Sequence, residues 1–122
     1  MKVSELSDAA LDWAVSEAVK PDITHPDWFR IATFGPLFGK SYKYPCWGSQ
    51  KYSPSTDWKE AGWIIERERI GPRWDKLWNQ WGVPHPKNAA LGILGQTFLI
   101  AAMRCFVASK LGDEIEIPKE LT

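Results

Sequence analysis

The N-terminal segment has the apolar spacing of an amphipathic helix. Apolar residues recur at helical intervals between Ala10 and Ala18, and Ser7 is a residue type that commonly caps a helix. Pro21 removes a backbone donor, so the predicted helix ends near Val19. The residues predicted to face solvent are Asp8, Asp12 and Ser16.

Two more helices are predicted farther along the chain. Ser55 or Thr56 caps the second, with Asp57 at its positive end. Thr97 caps the third, which runs to Leu111 and stops at Gly112. The apolar face of the second helix is expected to consist of Trp58, Ala61, Ile64 and Ile65. That of the third is expected to consist of Leu99, Ala102, Met103, Phe106 and Val107.

The segments between the helices contain the candidate strands. Residues 28–34 and 41–44 have strand-like composition within a stretch, 21–54, that is rich in proline and glycine. Trp74, Trp78 and Trp81 recur at i, i+4 and i+7, which favours a helix, although a strand paired with residues 89–94 is the alternative. A strand is predicted at 89–94, and a short edge strand at 115–118.

These elements predict one α+β domain spanning residues 1–122. Three main helices would pack on a small antiparallel sheet, in an arrangement similar to an alpha-beta-alpha sandwich. The length is sufficient for a hydrophobic core without metal or disulfide support.

Composition narrows the functional classes. The 15 basic and 15 acidic residues cancel, which counts against a dedicated non-specific nucleic-acid binder but leaves room for a local basic patch. Cys46 and Cys105 form no recognised motif and are expected to be reduced thiols in a cytoplasmic protein. The most apolar stretch, 89–107, is interrupted by polar residues and glycines, so it is expected to lie in the core. No association with a membrane is expected.

Motifs for catalysis or metal binding are weak. Residues 35–41 (GPLFGKS) resemble a phosphate-binding loop, but only three residues separate the glycines and no helix follows. A glycine turn is therefore predicted there. His25 and His85 lack metal-ligand spacing, and no metal, cofactor or catalytic residue is predicted.

Arg104 leads to a candidate binding cleft. It lies among apolar neighbours, so a partner such as Asp57 or Glu66 is expected, in a structural ion pair or beside an anion site. A capped helix start, an indole and arginines are the components of a small anion-binding cleft. The predicted cleft consists of Asp57, Trp58, Glu66, Arg67 and Arg104.

The tryptophans offer a second candidate site. Eight occur in 122 residues, and such a cluster serves either as core or as a recognition surface. The candidate surface stripe consists of Arg73, Trp74, Trp78 and Trp81. With Arg67, Arg69 and Lys76 nearby, the stripe has the residue types that stack bases of single-stranded nucleic acid.

Three blocks of the chain together resemble a known family. They are residues 5–6 with 9–15, residues 53–58 (SPSTDW) with 64–68 (IIERE), and residues 99–114 (LIAAMRCFVASKLGDE). They occur in the order found in the NinX-like family, which comprises small proteins of tailed bacteriophages and prophages. The resemblance implies a phage or prophage origin, no established activity and a bacterial host as the cellular location.

The functional prediction is a non-enzymatic phage accessory protein that binds a protein partner or a second copy of itself. One alternative is a binder of single-stranded nucleic acid or nucleotides through a Trp/Arg surface, including sequestration of a host signalling nucleotide. Another is a small enzyme that uses Asp57 or Glu66 as a base.

Overall fold

The computed structural model describes residues 1–37, 39–77, 79–87 and 92–121. Three α-helices lie within these ranges: α1 (Asp8–Val19), α2 (Trp58–Glu68) and α3 (Phe98–Leu111). All three predicted helices are confirmed. Short 3-10 turns follow α1 and precede the first strand.

The helix ends mostly follow the predicted signals. Thr97 Oγ1 accepts a hydrogen bond from the Ile100 amide at 3.2 Å, and Gly112 ends α3 with a φ of 90°. The predicted cap of α2 is displaced, because the N-cap is Asp57 itself. Its carboxylate accepts a hydrogen bond from the Lys59 amide at 2.9 Å, which satisfies a donor left free at the helix start.

The strands form two antiparallel sheets of three strands each. The first contains β1 (Phe29–Leu37), β2 (Lys40–Trp47) and β3 (Gln50–Lys51). The second contains β4 (Arg73–Asp75), β5 (Gln80–Pro84) and β6 (Gly92–Gly95). The predicted α+β class with antiparallel pairing is confirmed, and the sheet is divided in two.

The helix predicted for the tryptophan stripe is wrong, and the alternative pairing with the following strand is correct. β4 and β5 form a hairpin in which Trp74 lies directly opposite Trp81. Asp75 Oδ1 accepts a hydrogen bond from the Leu77 amide at 2.9 Å, and Asn79 has a φ of 53°. These local features reverse the chain, so an i, i+7 spacing becomes a cross-strand pair. Trp78 lies outside the described residues.

The remaining strand predictions are partly right. β1 covers residues 29–34 of the first predicted segment, whereas Trp28 belongs to the preceding 3-10 turn, and β2 covers the whole second segment; both strands extend further, and Gly39 lies in the turn before β2. Glycine supplies the left-handed conformation in this turn, since Gly39 has a φ of 76°. β6 falls at the end of the predicted 89–94 strand, whereas residues 88–91 lie outside the described part of the chain.

The predicted edge strand at 115–118 is absent from the strands of the described residues. The start of this segment is instead hydrogen-bonded to the N-terminal residue. The Met1 ammonium donates to the Ile115 oxygen at 2.8 Å, and the Ile115 amide donates to the Met1 oxygen at 3.0 Å. Lys2 and Glu114 form an isolated bridge.

The core lies between α1, α3, α2 and the second sheet. Its largest fully buried side chains include Phe106, Met103, Leu11, Ile64 and Val83. No helix among the described residues is long and apolar enough to cross a membrane. Cys46 and Cys105 are free and buried.

The predicted solvent face of α1 is wrong for two residues. Asp12 is 4% exposed and Ser16 is 2% exposed. The segment that precedes α2 covers this side of α1, and Asp12 Oδ1 accepts a hydrogen bond from the Ser55 amide at 2.8 Å. Helical periodicity located the polar side of α1 but could not show that another segment packs on it.

Candidate functional site

The most prominent surface feature is a row of four aromatic rings, which we call the aromatic surface. It consists of Trp58, Phe98, Trp81 and Trp74. Ring centroids are 5.7 Å apart between Trp58 and Phe98, 6.3 Å between Phe98 and Trp81, and 5.3 Å between Trp81 and Trp74. Each ring therefore contacts the next at aromatic-pair distance.

Two helix starts and one hairpin bring these rings together. Trp58 is the first residue of α2, and Phe98 is the first residue of α3. Trp74 and Trp81 face each other across β4 and β5. Trp58 is 59% exposed and Trp74 is 44% exposed, so the row continues along the protein surface rather than into the core.

A groove of about 250 Å³ lies between the two helix starts, at the Trp58 and Phe98 end of this row. Ser55, Thr56 and Trp58 line one side, and residues 97–100 line the other. The groove gives the aromatic surface a concave section, which is a feature that anchors a side chain of a partner.

A second candidate site is a cleft between α1, the first sheet and the start of α2. We call it the Glu60 cleft, and its volume is about 320 Å³. Phe29 packs tilted against Trp47 at 4.7 Å and edge-on against Tyr52 at 4.8 Å between centroids. Its charged lining residues are Lys51, Asp57, Lys59 and Glu60, and Trp63 is a further aromatic wall.

Burial shifts several pKa values in and behind this cleft. Desolvation raises the pKa of Asp12 to about 6, against the opposing effect of the Ser55 hydrogen bonds. Desolvation also raises the pKa of Glu60, which accepts a hydrogen bond from the Ser53 amide at 3.2 Å. The pKa of Tyr52 is raised mainly by burial as well. Asp12 and Glu60 thus hold protons at a higher pH than ordinary carboxyl groups.

The five residues of the predicted cleft are distributed over different parts of the structure. Asp57 lines the Glu60 cleft and Trp58 belongs to the aromatic surface. Glu66 is exposed on α2. Arg104 lines a separate depression together with Gln80 and His85.

Arg67 is engaged by several neighbours. Its guanidinium forms ion pairs with Asp22 at 3.3 Å and Glu68 at 3.0 Å. It also lies 4.9 Å from the centroid of the Trp63 ring. These contacts link α2 to the turn after α1.

The ion pair predicted for Arg104 is wrong. Its Nε donates to the Leu6 oxygen at 2.8 Å, and one terminal nitrogen donates to the Leu94 oxygen at 2.6 Å. Within the described ranges it makes no ion pair with Asp57 or Glu66. Backbone carbonyl oxygens therefore satisfy this guanidinium, and desolvation lowers its pKa.

The histidines have local roles. His25 stacks on Trp28 with centroids 4.2 Å apart. His85 Nε2 lies 2.9 Å from Asp113 Oδ1. In the part of the chain that is described, no three His, Cys, Asp or Glu residues are grouped so as to hold a metal ion.

Sequence reasoning missed important members of both sites. Phe98 joins Trp58 to the hairpin. In the sequence it is only the residue after a predicted helix cap, and nothing else marks it as part of a binding surface. Only packing shows that Glu60 lies in a cleft with Tyr52 and Asp57.

A family model described as bacteriophage P22 NinX matches residues 2–110. The chain belongs to this NinX family. The match confirms the resemblance seen in the sequence and places the chain among bacteriophage accessory proteins. Comparison with curated proteins found no match.

The NinX match extends farther than the three blocks that first indicated it. Residues 2–110 include α1, α2, α3 except its last residue, both sheets and every ring of the aromatic surface. The tryptophan hairpin, which matched no recognised pattern in the sequence, therefore lies inside the family region.

Proposed function

We propose that this NinX-family protein acts in the host cytoplasm by binding another protein through the aromatic surface, with a second copy of the chain as the first candidate. The observation that carries the proposal is the unbroken row of four rings, in which Trp58 and Trp74 are exposed. Exposed, contiguous apolar surface of this kind is typical of an interface.

The chemistry of the rings supports a protein partner. Tryptophan is enriched among the residues that dominate binding energy, because one rigid ring buries a large area at small entropic cost. The groove between the two helix starts would receive a side chain. Leu77, on the β4–β5 turn, is 85% exposed and adds apolar area next to the hairpin.

The charge around the surface also supports a protein partner. In the hairpin and the start of α2, the charged residues Arg73, Lys76 and Lys59 are balanced by Asp75, Asp57 and Glu60. Such a balanced surface does not repel a second copy of itself. A polyanion would gain little from it.

The alternative of nucleic-acid or nucleotide binding through the same tryptophans draws on Arg67, Arg69 and Arg73. Arg67 already has two carboxylate partners, which reduces the charge it offers to a phosphate. Sequestration of a signalling nucleotide would require a pocket completed by a second subunit. This alternative is ranked below protein binding for those reasons.

The enzyme alternative rests on Asp57 or Glu66. Asp57 uses a carboxylate oxygen to cap α2, and a base in that position would have to release the Lys59 amide. Glu66 is exposed and is not among the residues lining the Glu60 cleft. Binding is therefore the function that the geometry supports best.

Sedimentation velocity over a wide concentration range tests self-association. We expect a reversible dimer that Trp58→Ala and Trp74→Ala weaken, since each removes a ring from the surface. Trp28→Ala is the matched control, because Trp28 is 48% exposed and lies outside the row. Equal behaviour of all three variants would contradict the assigned surface.

A monomer at every concentration would exclude the second copy as the partner. A photo-crosslinking amino acid at position 58, introduced in bacteria that carry the phage, then tests a different protein partner. The same amino acid at position 28 is the control. Absence of any adduct specific to position 58 would contradict the binding function.

A further inference from the structure

We propose that the ribbon formed by β1 and β2 binds single-stranded nucleic acid. This site is separate from the aromatic surface and lies on the other sheet, so the two proposals stand or fall independently. The inference rests on the charge of the ribbon, its projection into solvent and the arrangement of its tyrosines.

Charge is strongly segregated along the chain. Residues 28–56 contain four basic side chains and no acidic one. They are Arg30, Lys40, Lys43 and Lys51. Because the whole chain has 15 residues of each sign, the remainder carries a net charge of −4. The zero net charge of the chain therefore conceals a basic segment.

The base of the ribbon is anchored and its outer part is solvated. Phe29 and Trp47, which pair at the base, pack against the core. Farther out, Thr33, Tyr42 and Lys43 are all exposed. Since neighbouring strand residues point to opposite faces, exposure of both Tyr42 and Lys43 shows that both faces of the outer ribbon meet solvent.

Cations and tyrosines share one face of the ribbon. Lys40, Tyr42 and Tyr44 alternate along β2 and so point to the same side. Arg30 lies opposite Cys46, the next residue in that series, and joins the same face. The Lys51 ammonium lies 5.5 Å from the centroid of the Tyr44 ring.

This face matches the chemistry of an unpaired strand. Lysine and arginine neutralise phosphates, and aromatic rings stack on bases that are not held in a duplex. Tyr42 is exposed and offers its ring to a base, whereas Tyr44 is half-buried with Lys51 against its ring, so Tyr42 is the principal stacking residue. The nearby C-terminal turn, Lys119–Leu121, contains one cation and one carboxylate and leaves the charge balance unchanged.

Fluorescence anisotropy with a labelled oligothymidylate of roughly 16 nucleotides tests the proposal. We expect binding at low salt that weakens as salt rises. Three cation–phosphate contacts would give a slope of log affinity against log salt near −2, at about 0.7 for each contact on a single strand. Absence of binding at low salt would overturn the proposal.

The variants separate charge from stacking. Lys40→Ala should reduce the magnitude of the slope by about 0.7. Tyr42→Ala should weaken binding roughly tenfold with the slope unchanged. If Tyr42→Ala binds as tightly as the unmodified protein, attraction to any polyanion explains the affinity, and the stacking site is overturned.

Two matched controls test the face and the ribbon. Lys43→Ala removes the same charge from the same strand on the opposite face, and Lys87→Ala removes an exposed cation outside the ribbon. We expect smaller changes from both than from Lys40→Ala. Equal changes in slope for Lys40→Ala and Lys43→Ala would overturn the assigned face, and equal affinity for a duplex would overturn the preference for single strands. All these side chains are exposed, so unchanged thermal melting is expected for each variant.

Discussion

The two sheets of this protein have the same number of strands and the same antiparallel pairing, but they differ in how they are held. The second sheet lies on α3, with Val83 and Ile93 in the core. In the first sheet, only the base of a long ribbon packs against the core, and the outer part projects into solvent. One sheet is therefore part of the scaffold, and the other presents residues away from it.

Their charges differ in the same way. The hairpin of the second sheet, together with the start of α2, carries balanced charges and exposed indoles, whereas the ribbon of the first carries cations, two tyrosines and no acidic residue. A balanced indole surface is suited to a protein partner, and a basic tyrosine face is suited to a polyanion. Similar strand topology thus supports two different kinds of contact, because the side chains and the anchoring differ.

The largest expected effect tests how closely the second sheet is docked. A Cβ at Gly95 would lie 2.6 Å from the Ala101 amide nitrogen and 3.1 Å from its Cα. Gly95→Ala must therefore push β6 away from α3, and we expect a loss of about 3 kcal/mol in the free energy of unfolding measured in urea.

Gly92→Ala is the control in the same strand. Among the residues that the structure describes, the nearest neighbour of its added Cβ would be the Arg73 side chain at 3.7 Å. We expect a change below about 1 kcal/mol. If both variants lost a comparable amount of stability, contact with α3 would not explain the loss in Gly95→Ala.

The second effect concerns Asp12, which connects α1 to the segment after the first sheet. Its pKa rises from 3.8 to about 6 on folding, so the folded state binds the proton more tightly than the unfolded state. The contribution of Asp12 to stability is therefore present at low pH and is lost as pH rises from about 4 to above 6.

Asp12→Asn removes this titration. Relative to the unmodified protein, its free energy of unfolding should improve by about 2 kcal/mol between pH 4 and pH 7, because most of the pKa shift, at 1.36 kcal/mol for each unit, takes effect in that range. Urea denaturation across that pH range measures the difference. Asp8→Asn, at an exposed position in the first turn of α1, should show no such trend, and a flat difference for Asp12→Asn would contradict the assignment.

The smallest effect tests the solvated part of the ribbon. Tyr42→Ala should change the free energy of unfolding by no more than about 0.5 kcal/mol, because the side chain contributes little to the core. Val83→Ala, in the docked sheet, should cost about 2 kcal/mol through lost burial. A large loss for Tyr42→Ala would mean that the ribbon is as much a part of the scaffold as the second sheet.

How well each part of the fold could be predicted depends on whether the interactions that form it join residues near to or far from each other in the sequence. The start of α1 after Ser7, the cap of α3, the stop at Gly112 and the strand character of residues 29–34 depend on neighbours in the chain, and all were recognised. The tryptophan hairpin was not, because a spacing of seven residues suits a helical stripe as well as a cross-strand pair. The turn chemistry of Asp75 and Asn79 decided between them.

The candidate sites were less predictable for the same reason. Trp58 and Trp74 were singled out by residue type, yet Phe98 completes the row only because the starts of α2 and α3 lie side by side. Arg104 was recognised as a buried cation, but its partners are backbone oxygens of Leu6 and Leu94, which residue types cannot reveal.

The amino-acid sequence by itself determined the three helices, the α+β class, the family resemblance and the abundance of tryptophan, because each is set by local pattern or composition. The tertiary structure alone decided which tryptophans form a continuous surface, that Asp12 is buried and that Arg30 of β1 shares a face with Tyr42 and Tyr44 of β2. Those outcomes depend on contacts between residues distant in the chain, and the free energy of such contacts is defined only once the elements have packed.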